Sequence, residues 1–204
     1  LLESYDVSPD RIDVIPHGVT GLPDAEPARE YGTDYLLFVG TLEPRKNLAR
    51  LLEAHARLAT RLPLVVVGAR GWLDDDLVEA LGTRPQVHGE GAVDDARLAA
   101  LYRGAGLLAY PSLGEGFGLP VLEAMAIGLP VVVAASTAPA DLAADAGLAV
   151  NPYDVDASAA ALTRLLDDPA LARTLGERGR RRAAELTWER AARSTHGTYE
   201  RALS

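Results

Sequence analysis

Seven short apolar runs punctuate the chain: RIDVIP, YLLFVG, LPLVVVG, QVHG, GLLAYPS, PVVVA and GLAVNP. Most are rich in β-branched residues, and each is bounded by Gly or Pro, which predicts short buried strands. Between them the apolar positions change period. Leu48, Leu51, Leu52, His55 and Leu58 recur at intervals of three and four, predicting a helix that Asn47 caps. Further helices are expected at Asp74 to Leu81, Asp94 to Arg103, Leu119 to Ala126 and Ala157 to Leu166. The first two open on acidic residues, as the positive end of a helix dipole favours. Strand and helix therefore alternate, and the strands are apolar along their whole length. That combination predicts an α/β fold, a doubly wound parallel sheet covered on both faces, Rossmann-like in type. Beyond Pro152 the strands stop, and GERGRRRAAEL and TWERAARSTHGTYERAL read as charged helices. No internal repeat and no long linker divides the chain.

Composition narrows the class. With 204 residues, 48% of them hydrophobic and 24% charged, the chain can bury one sizeable core. Its 19 Gly and 13 Pro are too scattered for a low-complexity sequence. A net charge of −9 argues against a nucleic-acid or anionic-membrane footprint, either of which needs Lys and Arg in excess. The absence of cysteine excludes a disulfide framework, a thiolate zinc site and a catalytic thiol, and it suits a reducing, cytoplasmic setting. No run approaches eighteen apolar residues. The opening LLESYDVSPD lacks the regions of a signal peptide, and the chain reads as a piece of a longer protein.

In open parallel sheets ligands bind beyond the carboxyl ends of the strands, so the loops after YLLFVG, LPLVVVG and GLLAYPS are the candidates. The first runs from Gly40 through Thr41, Arg45 and Lys46 to Asn47 and sets two cations before a helix N-terminus, an arrangement suited to phosphate. The alternative is that Arg45 and Lys46 are solvated loop charges. The second loop, Gly68 to Trp72, lacks the G-x-G-x-x-G spacing of a nicotinamide site, which leaves Trp72 as a residue packing the loop. The third, PSLGEGFGLPVLEAMAIGLPVVV, carries the strongest signal. Gly116 and Gly118 allow close approach of backbone to a ligand, and a helix starting near Leu119 points free N–H groups at the same place. Two carboxylates, Glu115 and Glu123, flank this anion seat. They would repel a phosphate unless they accept hydrogen bonds from hydroxyl groups of the same ligand, and sugar hydroxyls fit. Read structurally, Glu115 is a dipole partner and Glu123 a surface helix residue.

At this loop EGFGLPVLEAMAIGLPVVV resembles the signature of the family 4 retaining glycosyltransferases, whose GT-B architecture pairs two Rossmann-like domains. IPHGV resembles that family's interdomain segment, GTLEPRKNL its phosphate loop, VHGEGAVDDARLAALYRGAGLLAYPS its nucleobase region, and TWERAARSTHGTYERAL its closing helix. The likeness covers nearly the whole chain and only the C-terminal, donor-binding half of the family. It implies an interdomain segment and first elements in residues 1–34, a Rossmann-like nucleotide-sugar-binding domain in 12–186 and a C-terminal helix in 187–204. The partner that the resemblance implies is an N-terminal, acceptor-binding domain.

Carried over to this sequence, the resemblance implies that Glu123 holds the ribose hydroxyls and that Glu115 touches the transferred sugar. It implies that the amides of Phe117, Gly118 and Leu119 serve sugar and diphosphate, that Arg45 and Lys46 neutralise the diphosphate, and that the base is gripped through backbone at Val93. Thr41 stands where many members have Arg after Gly40, which leaves more of the charge to Arg45 and Lys46. The PRKN and GARGWL forms look most like mannosyltransferase members, so GDP-mannose is the first expected donor and a UDP-sugar the second. The GT-B class that the sequence resembles generally needs no divalent ion, and no metal or other cofactor is expected. The acceptor is expected to be a saccharide or a lipid-linked one, which would bring the whole enzyme to the inner membrane face. The rival reading is a sugar-nucleotide-binding module without catalysis. The histidines have plainer roles: His17 in a turn or hinge, with a place facing the active cleft as its alternative, His55 packed or half-exposed on its helix, His88 at a strand-to-loop junction and His196 in the closing helix. Arg178, Arg180, Arg181 and Arg182 read as a solvated helix face.

Overall fold

The structure is a computed structural model of the chain that describes residues 8–72, 79 and 81–203. Six strands form one sheet: β1 (Tyr35–Val39), β2 (Leu64–Val67), β3 (Val87–Gly91), β4 (Ala105–Tyr110), β5 (Val131–Ala134) and β6 (Gly147–Val150). Every pairing is parallel, and the order is β3-β2-β1-β4-β5-β6. Around the sheet lie helices α1 (Leu48–Ala56), α2 (Asp95–Gly104), α3 (Leu119–Ile127), α4 (Ala138–Ala143), α5 (Val155–Asp167), α6 (Pro169–Ala184) and α7 (Trp188–Leu203).

The two-residue period of the strands sorts their side chains into two cores. Tyr35, Leu37, Val39, Leu108 and Tyr110 face α2 and α3, where they meet Leu101, Tyr102, Val121 and Met125. Leu36, Phe38, Leu107 and Ala109 face α1 and α5, where they meet Leu48, Leu52, Leu162 and Leu165. All five residues of β1 are buried. Each such side chain contributes roughly 1.5 to 3 kcal/mol by leaving water, so this central strand anchors both layers. The winding reverses between β1 and β4, and the crevice beyond their carboxyl ends is the topological switch point where ligands sit in such sheets.

Several expectations need correction. RIDVIP is no strand: residues 12–20 form no regular element and lie along α7. Pro16 offers no N–H for a ladder, while Asp13 takes a hydrogen bond from Thr198 (2.7 Å) and an ion pair from Arg201, and Val19 donates to the Leu186 carbonyl at 3.0 Å. Trp72 does not pack its loop; it is 78% exposed, because the turn closes on Gly71, where a Cβ would stand 2.6 Å from the Leu42 carbonyl oxygen. His88 lies within β3, its ring 4.9 Å from that of Tyr31. Helix α1 stops at Ala56, so Leu58 packs against the core from the following turn. The helix expected at Asp74 to Leu81 falls mostly outside the described residues.

Of the arginines of α6 expected in solvent, Arg181 is exposed, whereas Arg178, Arg180 and Arg182 are not simply solvated. Arg180 donates to the Ile127 carbonyl (2.8 Å) at the C-terminus of α3, and Arg182 to the Leu142 and Asp141 carbonyls (2.5 and 3.0 Å) at the end of α4. Arg178 donates to the Asp145 carbonyl at 3.2 Å and pairs with its carboxylate at 3.4 Å. These cations cap carbonyls that helix ends leave without partners. Close approach permits it: at Gly176 of α6 a Cβ would stand 2.1 Å from the Gly128 carbonyl oxygen.

Candidate functional site

The chain leaves β1 at Gly40 and passes Thr41, which is exposed, before a single 3-10 turn, Pro44–Lys46. This loop presses on the one after β2: a Cβ at Gly68 would stand 1.9 Å from the Gly40 carbonyl oxygen, so no side chain is possible there. Asn47 then takes a left-handed conformation (φ 60°, ψ 29°) that Asn tolerates better than most residues. It stands at the cap position of α1 but caps nothing with its side chain. Its buried amide instead donates to the Pro111 and Pro152 carbonyls at 3.1 and 2.8 Å. The loops after β1, β4 and β6 are thus tied by one side chain.

That tie brings the predicted charges together. Lys46, 7% exposed, donates to Glu115 Oε1 at 2.6 Å and to the Tyr110 hydroxyl at 2.9 Å. Arg45 reaches the other carboxylate oxygen at 2.7 Å, the Gly114 carbonyl at 2.9 Å and Glu43 at 3.2 Å, with nearly half of its side chain in solvent. The Leu113 N–H donates back to the Arg45 carbonyl at 2.8 Å. Burial pushes Glu115 toward its neutral form, but the bonds and charge of Lys46 and Arg45 outweigh it and hold the carboxyl below the usual range. Burial and the neighbouring Glu115 raise the Tyr110 phenol, which stays a donor and acceptor at neutral pH.

Downstream of Glu115 the backbone turns into α3. Gly118 has φ +103° and would place a Cβ 2.8 Å from Pro139, so this turn requires glycine. Gly116 is exposed with open space at its Cβ position, and Leu119 is exposed at the first helical position. Val121 and Leu122 donate to the Gly118 carbonyl, whereas the N–H groups of Phe117, Gly118 and Leu119 take no acceptor among the described residues. Three adjacent donors beside two cations make a place for an anion. His17 stands edge-on to Phe117, ring centroids 4.9 Å apart, and 5.7 Å from Trp188, so the segment expected as a hinge touches the glycine turn directly.

Glu123 is half-buried one turn into α3. The fully buried Tyr102 donates to it at 2.9 Å, and no cation pairs with it among the described residues. Burial raises its carboxyl above the usual range, with Asp95 adding repulsion and the Tyr102 bond working the other way. Such a carboxylate gains from new hydrogen-bond donors. Val93 sits half-buried in the short loop between β3 and α2. Tyr102, Tyr110 and Glu43 are members of the site that reading by motif does not find, whereas His17, read from IPHGV, is brought to it by the structure. Among the described residues no three His, Asp or Glu side chains cluster as metal ligands, and no helix is long and apolar enough to cross a membrane.

Comparison with known proteins gives one family. The Glycosyl transferases group 1 family matches residues 24–182. Among curated relatives, O-antigen chain mannosyltransferase B of Escherichia coli is 40% identical over 173 residues, covering 81% of this chain and 45% of the relative. The MMP alpha-(1->4)-mannosyltransferase of Mycolicibacterium hassiacum is 37% identical, covering all of this chain and 52% of its own length. Among solved structures, sucrose-phosphate synthase from Thermosynechococcus elongatus superposes with a TM-score of 0.79 at 32% identity, over 93% of this chain and 52% of that one. The chain thus spans about half the length of the curated relatives it matches.

Proposed function

The chain belongs to the glycosyl transferases group 1 family, with mannosyltransferases among its relatives and a Rossmann-like fold shared with GT-B glycosyltransferases. From that premise we propose that it is the donor-binding half of a retaining glycosyltransferase that moves a sugar from a nucleoside diphosphate to an acceptor held by another domain. Mannose on GDP is the first candidate donor, and a UDP-sugar the second. The observation that supports this best is the joining of Arg45, Lys46 and Glu115 at the switch point beside the open N–H groups of the α3 turn.

Breaking the bond from the anomeric carbon to the diphosphate leaves negative charge growing on the departing phosphate. Arg45 and the amides of Phe117, Gly118 and Leu119 meet that charge in fixed positions, which is the electrostatic role that dominates many catalysts. The cations supply this stabilisation without calling on a metal ion. Lys46 serves from a buried seat and holds Glu115 in place, so that its carboxylate can accept hydrogen bonds from hydroxyls of the transferred sugar. Glu123 accepts from the ribose, its second oxygen fixed by Tyr102. Retention follows from attack on the face that the phosphate leaves, with the phosphate itself assisting.

Transfer also needs the acceptor held in reacting geometry. The expectation for this chain by itself is therefore donor binding without transfer, to be checked with a radiolabelled sugar donor. Calorimetric titration with GDP, UDP and ADP tests the donor site directly. Glu123→Gln is expected to weaken the preferred nucleotide about tenfold or more, the loss of charge-assisted bonds worth roughly 1.5 to 3 kcal/mol. Equal affinity in a folded variant overturns the ribose assignment. Absence of any nucleotide binding by the folded chain overturns the donor site.

A further inference from the structure

The Val93 loop is short, only residues 92–94 separating the end of β3 from the start of α2. Both of its flanks are tied together. Glu90, next to last in β3, and Arg97, in the first turn of α2, form a two-pronged ion pair: Arg97 Nη2 bonds one carboxylate oxygen and Nε lies 3.3 Å from the other. The Tyr31 hydroxyl donates to Glu90 Oε1 at 2.5 Å, and Arg97 also pairs with Glu30. The Tyr31 ring packs on those of His88 and Tyr35, with centroids 4.9 and 5.7 Å away. Asp94, the last residue of the loop, accepts from the Arg97 backbone N–H at 2.8 Å and caps α2. The Glu90 side chain is only 13% exposed, which sets this pair apart from the solvent-screened surface pairs that contribute little. Arg97 holds Glu90 below the usual carboxylate range, while burial and Glu90 push Tyr31 up to about 12.

None of these side chains takes part in the donor chemistry at the switch point. What they enclose follows β3 at the carboxyl edge of the sheet, where the resemblance places the base. A base gripped through backbone groups is recognised by the shape of the loop, because no side-chain identity enters. Gly91 (φ +68°, with open space at its Cβ position) gives that loop a freedom that must be removed from outside. Fixing loop residues costs chain entropy, and affinity rises when that cost is met before the ligand arrives.

We propose that Arg97 and Glu90, braced by Tyr31, are positioning residues for the nucleobase, holding residues 92–94 in the conformation that presents the Val93 backbone to the base. The proposal rests on the donor-site reading, and two measurements keep the two apart. The first is amide hydrogen exchange without ligand, comparing the parent chain with Arg97→Met, Glu90→Gln and Arg97→Lys. Arg97→Met and Glu90→Gln are expected to speed exchange at the amides of positions 97 and 98, whose acceptors are the side chain and carbonyl of Asp94, about tenfold or more and to leave the amides of β1 and β4 unchanged. The second is titration with GDP, UDP and inorganic diphosphate. Arg97→Met is expected to weaken the preferred nucleotide about tenfold and inorganic diphosphate not at all, with Arg97→Lys recovering part of the loss. Unchanged exchange at positions 97 and 98 overturns the clamp. Equal loss for nucleotide and inorganic diphosphate assigns the pair to general folding and overturns its role toward the base. If the parent chain binds inorganic diphosphate but no nucleotide, the base assignment fails even where the exchange data uphold the clamp.

Discussion

Cationic side chains gather at both ends of α3, and their partners there differ in kind. Before its N-terminus, Arg45 and Lys46 pair with the carboxylate of Glu115, in the loop that leads to three N–H groups without acceptors among the described residues. At its C-terminus, Arg180 is spent on the Ile127 carbonyl, and Arg182 does the same for α4. A carboxylate partner can be shared with or displaced by an incoming anion, whereas a backbone carbonyl at the negative end of a dipole holds its cation permanently. Two basic runs of similar composition are therefore a site and a brace. What separates them is the polarity of the helix end they meet.

Lys46→Met tests the first end hardest. The thioether chain keeps the apolar stem of Lys46 but leaves Glu115 with only Arg45. Breaking a buried ion pair costs about 3 to 5 kcal/mol when nothing replaces the lost partner, and with Arg45 still in place a loss of about 2 kcal/mol is expected from urea denaturation. A nucleoside diphosphate should weaken much more than the bare nucleoside. Equal weakening of both means that Lys46 shapes the loop and does not read phosphate.

Arg180→Ala probes the other end. Removing a charged donor from the terminal carbonyl of α3 is expected to lower stability by about 1 kcal/mol, again from denaturant midpoints, with nucleotide affinity unchanged. A fall in affinity comparable to that of Lys46→Met would break the comparison, because the two ends would then act as one unit.

The pattern of apolar positions is enough for the parallel sheet and its order of elements, since strands buried on both faces admit few arrangements. The glycine turn and the Arg45, Lys46 and Glu115 set are legible for a related reason: backbone conformation and helix polarity leave marks on the residues next to them in sequence. Bonds across the fold leave no such mark. Tyr102 meets Glu123 across 21 residues, Tyr110 meets Lys46 across 64, and the Asn47 amide joins Pro111 and Pro152. The departure at RIDVIP has the same root, because Ile15 lies against α7 while Val14 faces solvent, and neither meets a neighbouring strand. The arginines of α6 read as solvated because their partners are backbone carbonyls, which every sequence contains.

The smallest expected effect sharpens the site itself. Its two carboxylates shift in opposite directions, Glu115 downward under Lys46 and Arg45 against the pull of burial, Glu123 upward through burial. By linkage, Glu115 adds stability above the usual carboxylate range, and that stability is lost as pH falls through its folded value. For Glu123 the sign reverses: its contribution is present below the usual range and is lost as pH rises through its raised folded value, so the ionised side chain costs stability at neutral pH. Glutamine keeps an acceptor for Tyr102 and carries no charge. Glu123→Gln is therefore expected to stabilise the chain at neutral pH, by no more than about 1 kcal/mol, while weakening nucleotide. Its advantage over the parent should fade as pH falls into the range where Glu123 takes up its proton. Thermal unfolding at several pH values, paired with the titrations, measures both effects. A variant less stable than the parent at neutral pH would mark Glu123 as a structural partner of Tyr102. A variant more stable and weaker in binding would mark a charge kept at the expense of the fold for a ligand's hydroxyl groups.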